Sequence, residues 1–204
     1  MTSRGAALVS GAGRRIGQVL ALEAARAGYD VAIHHRASAS EAEDTARAVK
    51  DLGRRALLVR ADLANEDDTR SLIAQAAPLG PLTLLINNAS AFEDDRVGGL
   101  SRAVWDRHLE TNLRAPIVLA EAMAGALPDD RHGLVVNLID QRVWRPNPQF
   151  FSYTLSKAGL WWATQTLAQA LAPRIRVNAI GPGPTLPSVH QAPGEFEAEA
   201  AGVL

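Results

Sequence analysis

The residues best suited to chemistry are a tyrosine and a lysine four positions apart, Tyr153 and Lys157. They lie in a stretch of helical periodicity, where a spacing of four puts the phenol and the ammonium on one face. A nearby ammonium stabilises phenolate and so lowers a tyrosine pKa from about 10 toward a value useful for proton transfer. The alternative is an ordinary surface pair, but a chain with two tyrosines and two lysines supplies few such pairs by chance.

A glycine-rich turn at residues 10–17, with the sequence SGAGRRIG, is the second chemical feature. Glycines let the backbone approach a pyrophosphate, whose charge is favoured by the free N–H groups of a helix N-terminus. The turn could be a plain connection between strand and helix, but a strand, turn, helix and second strand follow in the order that a dinucleotide site requires. We therefore expect a dinucleotide to be bound by Gly11, Gly13, Arg14, Arg15, Ile16 and Gly17.

The end of the second predicted strand indicates which dinucleotide is bound. It has no acid for the ribose hydroxyls of NAD; His35 is instead followed by Arg36, which can form a bidentate pair with a 2′-phosphate. The sequence therefore predicts NADP(H) over NAD(H), the alternative for Arg36 being a solvated loop arginine. His34 and His35 point to opposite faces of a strand, so no metal site is predicted.

Two further groups of residues follow predicted strands and are candidates to line the cofactor cleft. Asp62, with Leu63 after it, follows the third strand, where an acid could accept a hydrogen bond from the adenine amino group. Asn88, Ala89 and Ser90 follow the fourth strand. Taken alone, the polar residues of either group could equally be turn formers.

The elements that must position these residues are short apolar runs alternating with longer alanine-rich segments. The predicted strands are 6–10, 30–34, 56–61, 82–87, 134–139 and 175–180, and the predicted helices are 15–27, 40–52, 66–77, 104–126 and 152–171. Strands that are apolar nearly throughout are typical of a parallel sheet covered on both faces. We expect one α/β domain over residues 1–204, a three-layer doubly wound sheet of the Rossmann type, with ligands beyond the carboxyl ends of the strands.

Composition excludes several other classes of protein. The 204 residues carry 21 Lys+Arg against 22 Asp+Glu, a formal net charge of -1, and no cysteine. The absence of cysteine excludes disulfide scaffolds and zinc–cysteine sites. Near-zero charge argues against nucleic acid or an anionic membrane as the main partner. No apolar run approaches the ~18 residues of a membrane span, and the first residues lack a signal-peptide apolar region, so we expect a soluble, cytoplasmic protein.

From the first strand through residue 187, the chain resembles the short-chain dehydrogenase/reductase family. The family's motifs occur in order as the glycine-rich turn, Asp62, Asn87-Asn88-Ala89, Asn112, Tyr153 with Lys157, and Pro182-Gly183. The resemblance implies that Tyr153 donates a proton, that Lys157 lowers its pKa and binds the nicotinamide ribose, and that Asn112 holds a water in a proton relay. It also implies that Pro182 and Gly183 contact the cofactor.

The assignment of Asn112 has a second argument. Pro116 lies four residues later in a helical stretch and has no N–H, so it cannot bond the carbonyl of Asn112. That carbonyl is then free to hold a water. A simple kink of the helix would explain the proline equally well.

Two departures from the general family pattern resemble the pteridine reductase and dihydromonapterin reductase branch. Arg15 stands where glycine is usual, and Asp140 stands where a catalytic serine is usual, thirteen positions before the tyrosine. The resemblance implies that Arg15 contacts cofactor phosphate and pterin, that Phe92 stacks on the pterin, that Asp140 acts beside Tyr153, and that Ser90 contacts cofactor or substrate. For Asp140 the alternative is an ion pair with a nearby arginine, and for Phe92 an ordinary loop hydrophobe.

These observations predict an NADPH-dependent reductase of a dihydropteridine such as dihydrofolate, dihydrobiopterin or dihydromonapterin. An ionised Asp140 would raise the pKa of Tyr153 and oppose Lys157, so the three groups should titrate together. One alternative is a carbonyl or 3-oxoacyl reductase of the same family. The other is a non-catalytic NADP-binding sensor or interaction protein with this fold.

The last residues carry further expectations. A proline-rich stretch, 181–187, is predicted to form a loop over the site, and residues 194–204 form an acidic, alanine-rich end without a strand. Measured against the family, the chain stops before the usual final helix and edge strand, so we expect a sheet lacking that edge strand. The resemblance also implies a homo-oligomer, a tetramer or dimer. Of Trp161 and Trp162, at least one must face away from the site.

Overall fold

A single parallel sheet forms the centre of the computed structural model, which describes residues 4–186 and 194–201. Its order is β3-β2-β1-β4-β5-β6, and each neighbouring pair is parallel. The strands are β1 Ala6–Val9, β2 Asp30–His35, β3 Ala56–Arg60, β4 Leu82–Asn87, β5 Gly133–Leu138 and β6 Ile175–Ile180. All six predicted strands are present, with ends that differ by at most one residue, and the predicted Rossmann-type fold is confirmed.

Helices cover both faces of this sheet. They are α1 Arg15–Arg26, α2 Ala39–Asp51, α3 Glu66–Ala76, α4 Arg102–Leu109, α5 Ala115–Ala126, α6 Phe151–Leu171 and α7 Glu195–Ala201. Successive residues of β1 enter different cores: Ala6 and Leu8 pack with α3 and α5, whereas Ala7 and Val9 pack with α1 and α2. Because side chains alternate along a strand, a strand buried on both faces must be apolar throughout. The three-layer arrangement therefore follows from the strand sequences.

The helix predicted over 104–126 is not continuous. It is divided into α4 and α5 by a π turn, Glu110–Arg114, in which the N–H of Ala115 bonds the carbonyl of Glu110, five residues earlier. Pro116 lies at the start of α5 and has no N–H to donate. A widened turn is a common way to absorb such a defect in the hydrogen-bond ladder. Helical residues therefore occupy the whole predicted span, and the departure from a regular α-helix lies next to the proline that lacks an N–H.

The C-terminal part of the chain is only partly described. Within the described residues β6 lies at one edge of the sheet, and α7 occupies part of the acidic end in which no strand was predicted. Residue 187 of the predicted loop and residues 202–204 of the predicted end lie outside the described residues. Among the residues that are described, no helix is both long and apolar enough to cross a membrane.

The turn after β1 places the start of α1 at the point where the strand order reverses, between β1 and β4. Gly17 lies on α1 so close to this turn that a Cβ atom there would be 2.1 Å from the carbonyl oxygen of Gly11. Gly11 itself has a φ of +64°, in the left-handed region that favours glycine. Close packing of helix on turn therefore requires glycine at position 17.

We expect Gly17→Ala to lower the free energy of unfolding by about 1–3 kcal/mol, because the added methyl group cannot be accommodated without moving backbone. Gly125→Ala is the matched control, since a Cβ atom at this site in α5 meets nothing within 4 Å. The control should be neutral or stabilising by about 0.5–1 kcal/mol. Urea unfolding of both variants measures the difference, and equal midpoints would contradict the packing argument.

Candidate active site

A cavity of about 750 Å³ lies at the carboxyl ends of β1 to β4. The structure brings together there all the residues predicted to contact the cofactor from the first four strand ends. They are Gly11, Gly13, Arg14, Arg15, Ile16, Gly17, His35, Arg36, Asp62, Leu63, Asn88, Ala89 and Ser90. This is the position at which open α/β sheets bind ligands.

Hydrogen bonds fix the glycine-rich turn to the start of the loop after β4. The hydroxyl oxygen of Ser10 accepts the N–H groups of Asn88 and Ala89, each at 2.9 Å. The side-chain amide of Asn88 donates in return to the carbonyl oxygens of Ser10 and Gly11, at 2.9 and 3.2 Å. The two walls of the cavity are therefore held at a fixed separation.

His34 anchors the same turn from the other side, a role that the sequence did not reveal. The N–H of Gly11 donates to its Nδ1 at 3.0 Å, and its Nε2 lies 3.2 Å from the carbonyl oxygen of Ala61. Since a backbone N–H can only donate, Nδ1 carries no hydrogen and Nε2–H is the donor to Ala61. Burial lowers the pKa of His34 to about 4, which is consistent with a neutral ring.

The end of β2 has the features that a 2′-phosphate requires. Nδ1 of His35 is buried and has no hydrogen-bond partner within the protein, and Arg36 beside it is exposed at the cavity. An unsatisfied buried polar atom is unfavourable unless a ligand completes it. With the glycine cradle, these residues fit a phosphorylated dinucleotide. Asp62 also lines the cavity, while one of its carboxylate oxygens accepts the N–H of Ala64 at 3.0 Å.

Arg15 adopts a backbone conformation that accounts for the glycine usual at this position. Its φ is +55°, in the left-handed region. Its guanidinium donates to the carbonyl oxygen of Leu186 at 3.3 Å. Arg15 lines both the first cavity and a second one of about 860 Å³ beside it. A strained residue between two cavities indicates a functional constraint.

The second cavity contains the remaining predicted groups. It is lined by Asp140, Tyr153, Lys157, Pro182 and Gly183 and shares Ser90 and Phe92 with the first cavity. Nicotinamide and substrate would meet where the two cavities join. Asn112 is the one predicted residue that lines neither cavity.

Tyr153 and Asp140 form a direct hydrogen bond at the centre of this site. The Tyr153 hydroxyl donates to Oδ2 of Asp140 at 2.7 Å, and Oδ1 of Asp140 accepts the N–H of Arg142 at 2.8 Å. Burial, then the charge of Asp140 and this hydrogen bond, raise the pKa of Tyr153 well above its usual value. The spacing-based prediction of a lowered tyrosine pKa is wrong here, and the predicted opposition by Asp140 prevails.

Lys157 is fully enclosed behind the tyrosine. Its Nζ donates to the carbonyl oxygen of Leu138 at 2.7 Å and lies 5.8 Å from the centre of the Tyr153 ring. Burial lowers the pKa of Lys157 to about 8, although the charge of Asp140 opposes this. Lys157, with its lowered pKa, therefore lies beside the hydrogen-bonded Tyr153 and Asp140.

Asn112 lies in the π turn, fully buried behind the loop after β4. Its Oδ1 accepts the N–H of Ala91 at 2.7 Å and the hydroxyl of Ser90 at 3.2 Å. Its Nδ2 donates to the carbonyl oxygen of Ala91 at 2.9 Å and to the hydroxyl of Ser156 at 3.1 Å. The side chain thus ties the loop to α6, a contact that the argument from its main-chain carbonyl did not anticipate.

Phe92 lies beside Tyr153 in an aromatic group. Its ring stacks on Phe150 with centroids 4.1 Å apart and meets Tyr153 edge-on at 4.7 Å. The guanidinium of Arg142 lies 4.9 Å from the Phe150 ring centre. Sequence reasoning missed Phe150, because it belongs to no motif and approaches Phe92 from a distant part of the chain.

Comparisons with known proteins agree with this geometry. The short chain dehydrogenase family model matches residues 5–197. The NADP complex of FolM alternative dihydrofolate reductase 1 from Brucella canis is 55% identical, covering 98% of this chain and 80% of that one, with a TM-score of 0.93. The NADP complex of its Brucella suis counterpart is 54% identical, covering 100% and 82%, with a TM-score of 0.94.

A more distant relative represents the ketone reductases. The 3-oxoacyl-[acyl-carrier-protein] reductase FabG of Staphylococcus epidermidis is 32% identical over 179 residues, which are 87% of this chain and 73% of that protein. The predicted resemblance to the dihydrofolate reductase branch is confirmed, and a non-catalytic binding protein is not supported. The chain belongs to the short-chain dehydrogenase family, as an oxidoreductase that uses NADP(H).

Proposed function

We propose that this reductase converts a dihydropteridine, such as dihydrofolate, dihydrobiopterin or dihydromonapterin, to its tetrahydro form. The observation that carries the proposal is the hydrogen bond between Tyr153 and Asp140. A serine polarises a ketone, whereas a carboxyl beside the tyrosine suits delivery of a proton to a ring nitrogen. The name of the two Brucella relatives, alternative dihydrofolate reductase, supports the same substrate class.

In this proposal the first cavity holds NADPH. The turn residues Gly11, Gly13, Arg14, Ile16 and Gly17 face the pyrophosphate, and His35 with Arg36 faces the 2′-phosphate. Asp62 and Leu63 lie at the adenine. Asn88, Ala89 and Ser90 would hold the nicotinamide half together with Lys157, Pro182 and Gly183, which line the adjoining second cavity. Bound NADPH supplies the hydride that forms the new C–H bond.

The second cavity holds the pterin. A pterin is a flat, electron-poor ring, and the stacked aromatic rings of Phe92 and Phe150 line this cavity, so they can pack against it. Arg15, between the two cavities, can contact both cofactor phosphate and the hydrogen-bonding edge of the pterin. Ser90 contacts cofactor or substrate from the loop after β4.

Tyr153 and Asp140 supply the proton that completes the reduction of a ring C=N bond. In the ligand-free geometry the tyrosine proton points at the carboxylate, and a raised pKa keeps it there. Transfer to a ring nitrogen therefore requires a second proton on the pair, with Asp140 donating to the phenol oxygen as Tyr153 donates to substrate. The network around Asn112 can deliver that proton through water.

The alternative within the family is a carbonyl or 3-oxoacyl reductase, favoured by the similarity to FabG.

We also propose that the enzyme is a homo-oligomer, a dimer or tetramer, that resides in the cytoplasm. Trp162 is 62% exposed on α6, and Trp144 is 56% exposed near it. Two large exposed indoles on one surface are consistent with an interface.

The role of Arg36 is tested by its replacement. Arg36→Ala should raise the KM for NADPH roughly 10- to 100-fold, because a charge-assisted bidentate contact is lost. The KM for NADH should not change, since NADH has no 2′-phosphate. Arg47→Ala, an exposed arginine on α2, is the control. A wild-type preference for NADH would contradict the assignment.

The substrate class is tested by NADPH oxidation with a panel of dihydropteridines and, in parallel, of ketones. We expect turnover of at least one dihydropteridine. Tyr153→Phe should lower kcat by about 10²–10⁴-fold, because the proton donor is lost, while NADPH binding measured by fluorescence is retained. A wild-type enzyme that ignores every dihydropteridine but reduces ketones would refute the substrate class.

Asp140→Ser separates the two reductase hypotheses. We expect dihydropteridine turnover to fall by about 10²-fold or more. The carboxylate that raises the pKa of Tyr153 is then absent, so the alkaline limb of the kcat profile should move to lower pH. Asp129→Ser, at an exposed site, should leave both the dihydropteridine turnover and the alkaline limb of the kcat profile unchanged. Gain of ketone reduction with unchanged pterin turnover would favour the carbonyl reductase.

A further inference from the structure

Behind Tyr153 lies a buried group of polar side chains that the proposed chemistry does not use. Asp95 belongs to the loop that carries Phe92, His108 to α4, and Ser152 to α6. All three are buried. None of them was predicted as a functional residue, and burial of three polar side chains in one place is unfavourable unless they satisfy each other.

The hydrogen bonds of this group run in one direction. The N–H of Glu93 donates to Nε2 of His108 at 3.0 Å, so Nε2 carries no hydrogen. In a neutral ring the hydrogen is then on Nδ1, which lies 2.7 Å from the Ser152 hydroxyl oxygen. With that oxygen accepting, the serine O–H donates to the Asp95 carboxylate. This series of hydrogen bonds starts at Glu93 and ends at Asp95, which both belong to the loop after β4.

Burial supports the neutral form of His108. Burial lowers the pKa of His108, and the positive charge of Arg107 lowers it further. The negative charges of Asp95 and Glu93 act in the opposite direction. The His108 ring also packs edge-on against Tyr153, with centroids 6.0 Å apart. The histidine thus contacts the tyrosine while it holds the loop.

Asp95 also caps the helix that carries Tyr153. Phe150, the residue before α6, has a φ of +53° and gives the helix no side-chain cap. The carbonyl oxygen of Asp95 accepts the N–H of Phe151 at 3.1 Å, and its carboxylate accepts the N–H of Ser152 at 3.1 and 3.3 Å. A carboxylate is favoured at a helix N-terminus, where it satisfies otherwise unpaired N–H groups. This cap comes from a residue more than fifty positions earlier in the chain.

We propose that Asp95 is a positioning residue that, through Ser152 and His108, sets the spacing between Phe92 and Tyr153 and so the width of the substrate site. The two rings belong to segments that are far apart in sequence, and their edge-on contact at 4.7 Å needs both segments to be held. Asp95 belongs to the segment that carries Phe92 and is hydrogen-bonded to the start of α6, which carries Tyr153. The identity of the substrate rests on the proposed function; the hydrogen-bond chain does not.

The tautomer of His108 gives a test that needs no substrate. In ¹H–¹⁵N correlation spectra of the imidazole rings near neutral pH, we expect His108 as the Nδ1–H tautomer. His34 serves as an internal contrast, because its Nδ1 accepts from Gly11 and it must be the Nε2–H tautomer. A protonated His108 ring, or an Nε2–H tautomer, would overturn the proposal whatever the substrate is.

Asp95→Asn tests the positioning role. Asparagine is neutral and has an NH₂ donor in place of one carboxylate oxygen, so the bonds from the Ser152 N–H and hydroxyl are weakened. We expect the KM for the dihydropteridine to rise about tenfold and kcat to fall, since both the loop and the helix cap are affected. The KM for NADPH should stay within about twofold. Asp106→Asn, the same change on the exposed side of α4, should alter neither constant.

Ser152→Ala separates positioning from general stability. It keeps the N–H that Asp95 accepts and removes the hydroxyl that joins Asp95 to His108, so the substrate KM should rise while kcat stays within about twofold. An equal rise in the KM for the dihydropteridine and the KM for NADPH, or a fall in kcat with both KM values unchanged, would overturn the positioning role. If Asp95→Asn does not fold, this split and the His108 tautomer decide the question. A wild-type enzyme that turns over no dihydropteridine refutes the proposed function, and the tautomer still decides this inference.

Discussion

The site depends on one constraint of the fold, which is that all six strands run in the same direction. Their carboxyl ends therefore meet at one edge of the sheet, and residues that follow β1 to β4 become neighbours although the sequence separates them. The glycine-rich turn and the loop after β4 meet there through Ser10 and Asn88. Both cavities lie at this edge and share lining residues, among them Arg15, Ser90 and Phe92.

Within that frame, burial decides the protonation of the reacting groups. Lys157 and Tyr153 are both removed from water, which disfavours the charged form of each. Asp140 adds a hydrogen bond that stabilises the protonated tyrosine. The result is a hydrogen-bonded pair in which Tyr153 keeps its proton, rather than a tyrosine poised as phenolate. Such a pair suits a reduction that ends with a proton on nitrogen.

The sequence predicted the strands closely because each is apolar on both faces and bounded by turn residues, as at 82–87. It predicted the residues that line the first cavity because they follow strands directly and belong to local motifs. At 104–126 it predicted the helical span and the missing N–H of Pro116, but not that a π turn would form there. It also missed His34, Asp95, His108 and Phe150, whose partners lie far away in sequence and leave no periodic or motif signal.

What the sequence by itself determined is the order of elements and the kinds of chemical groups at their ends, since both follow from short-range patterns of apolar residues, glycine and charge. What only the tertiary structure decided is how those groups act on each other. The sequence offered opposite shifts for the pKa of Tyr153, down from Lys157 and up from Asp140, and only its burial and its bond to Asp140 decided that the pKa is raised. Likewise, Asp95 became a helix cap only when the fold brought its loop to α6, because hydrogen bonds and desolvation depend on distances in space.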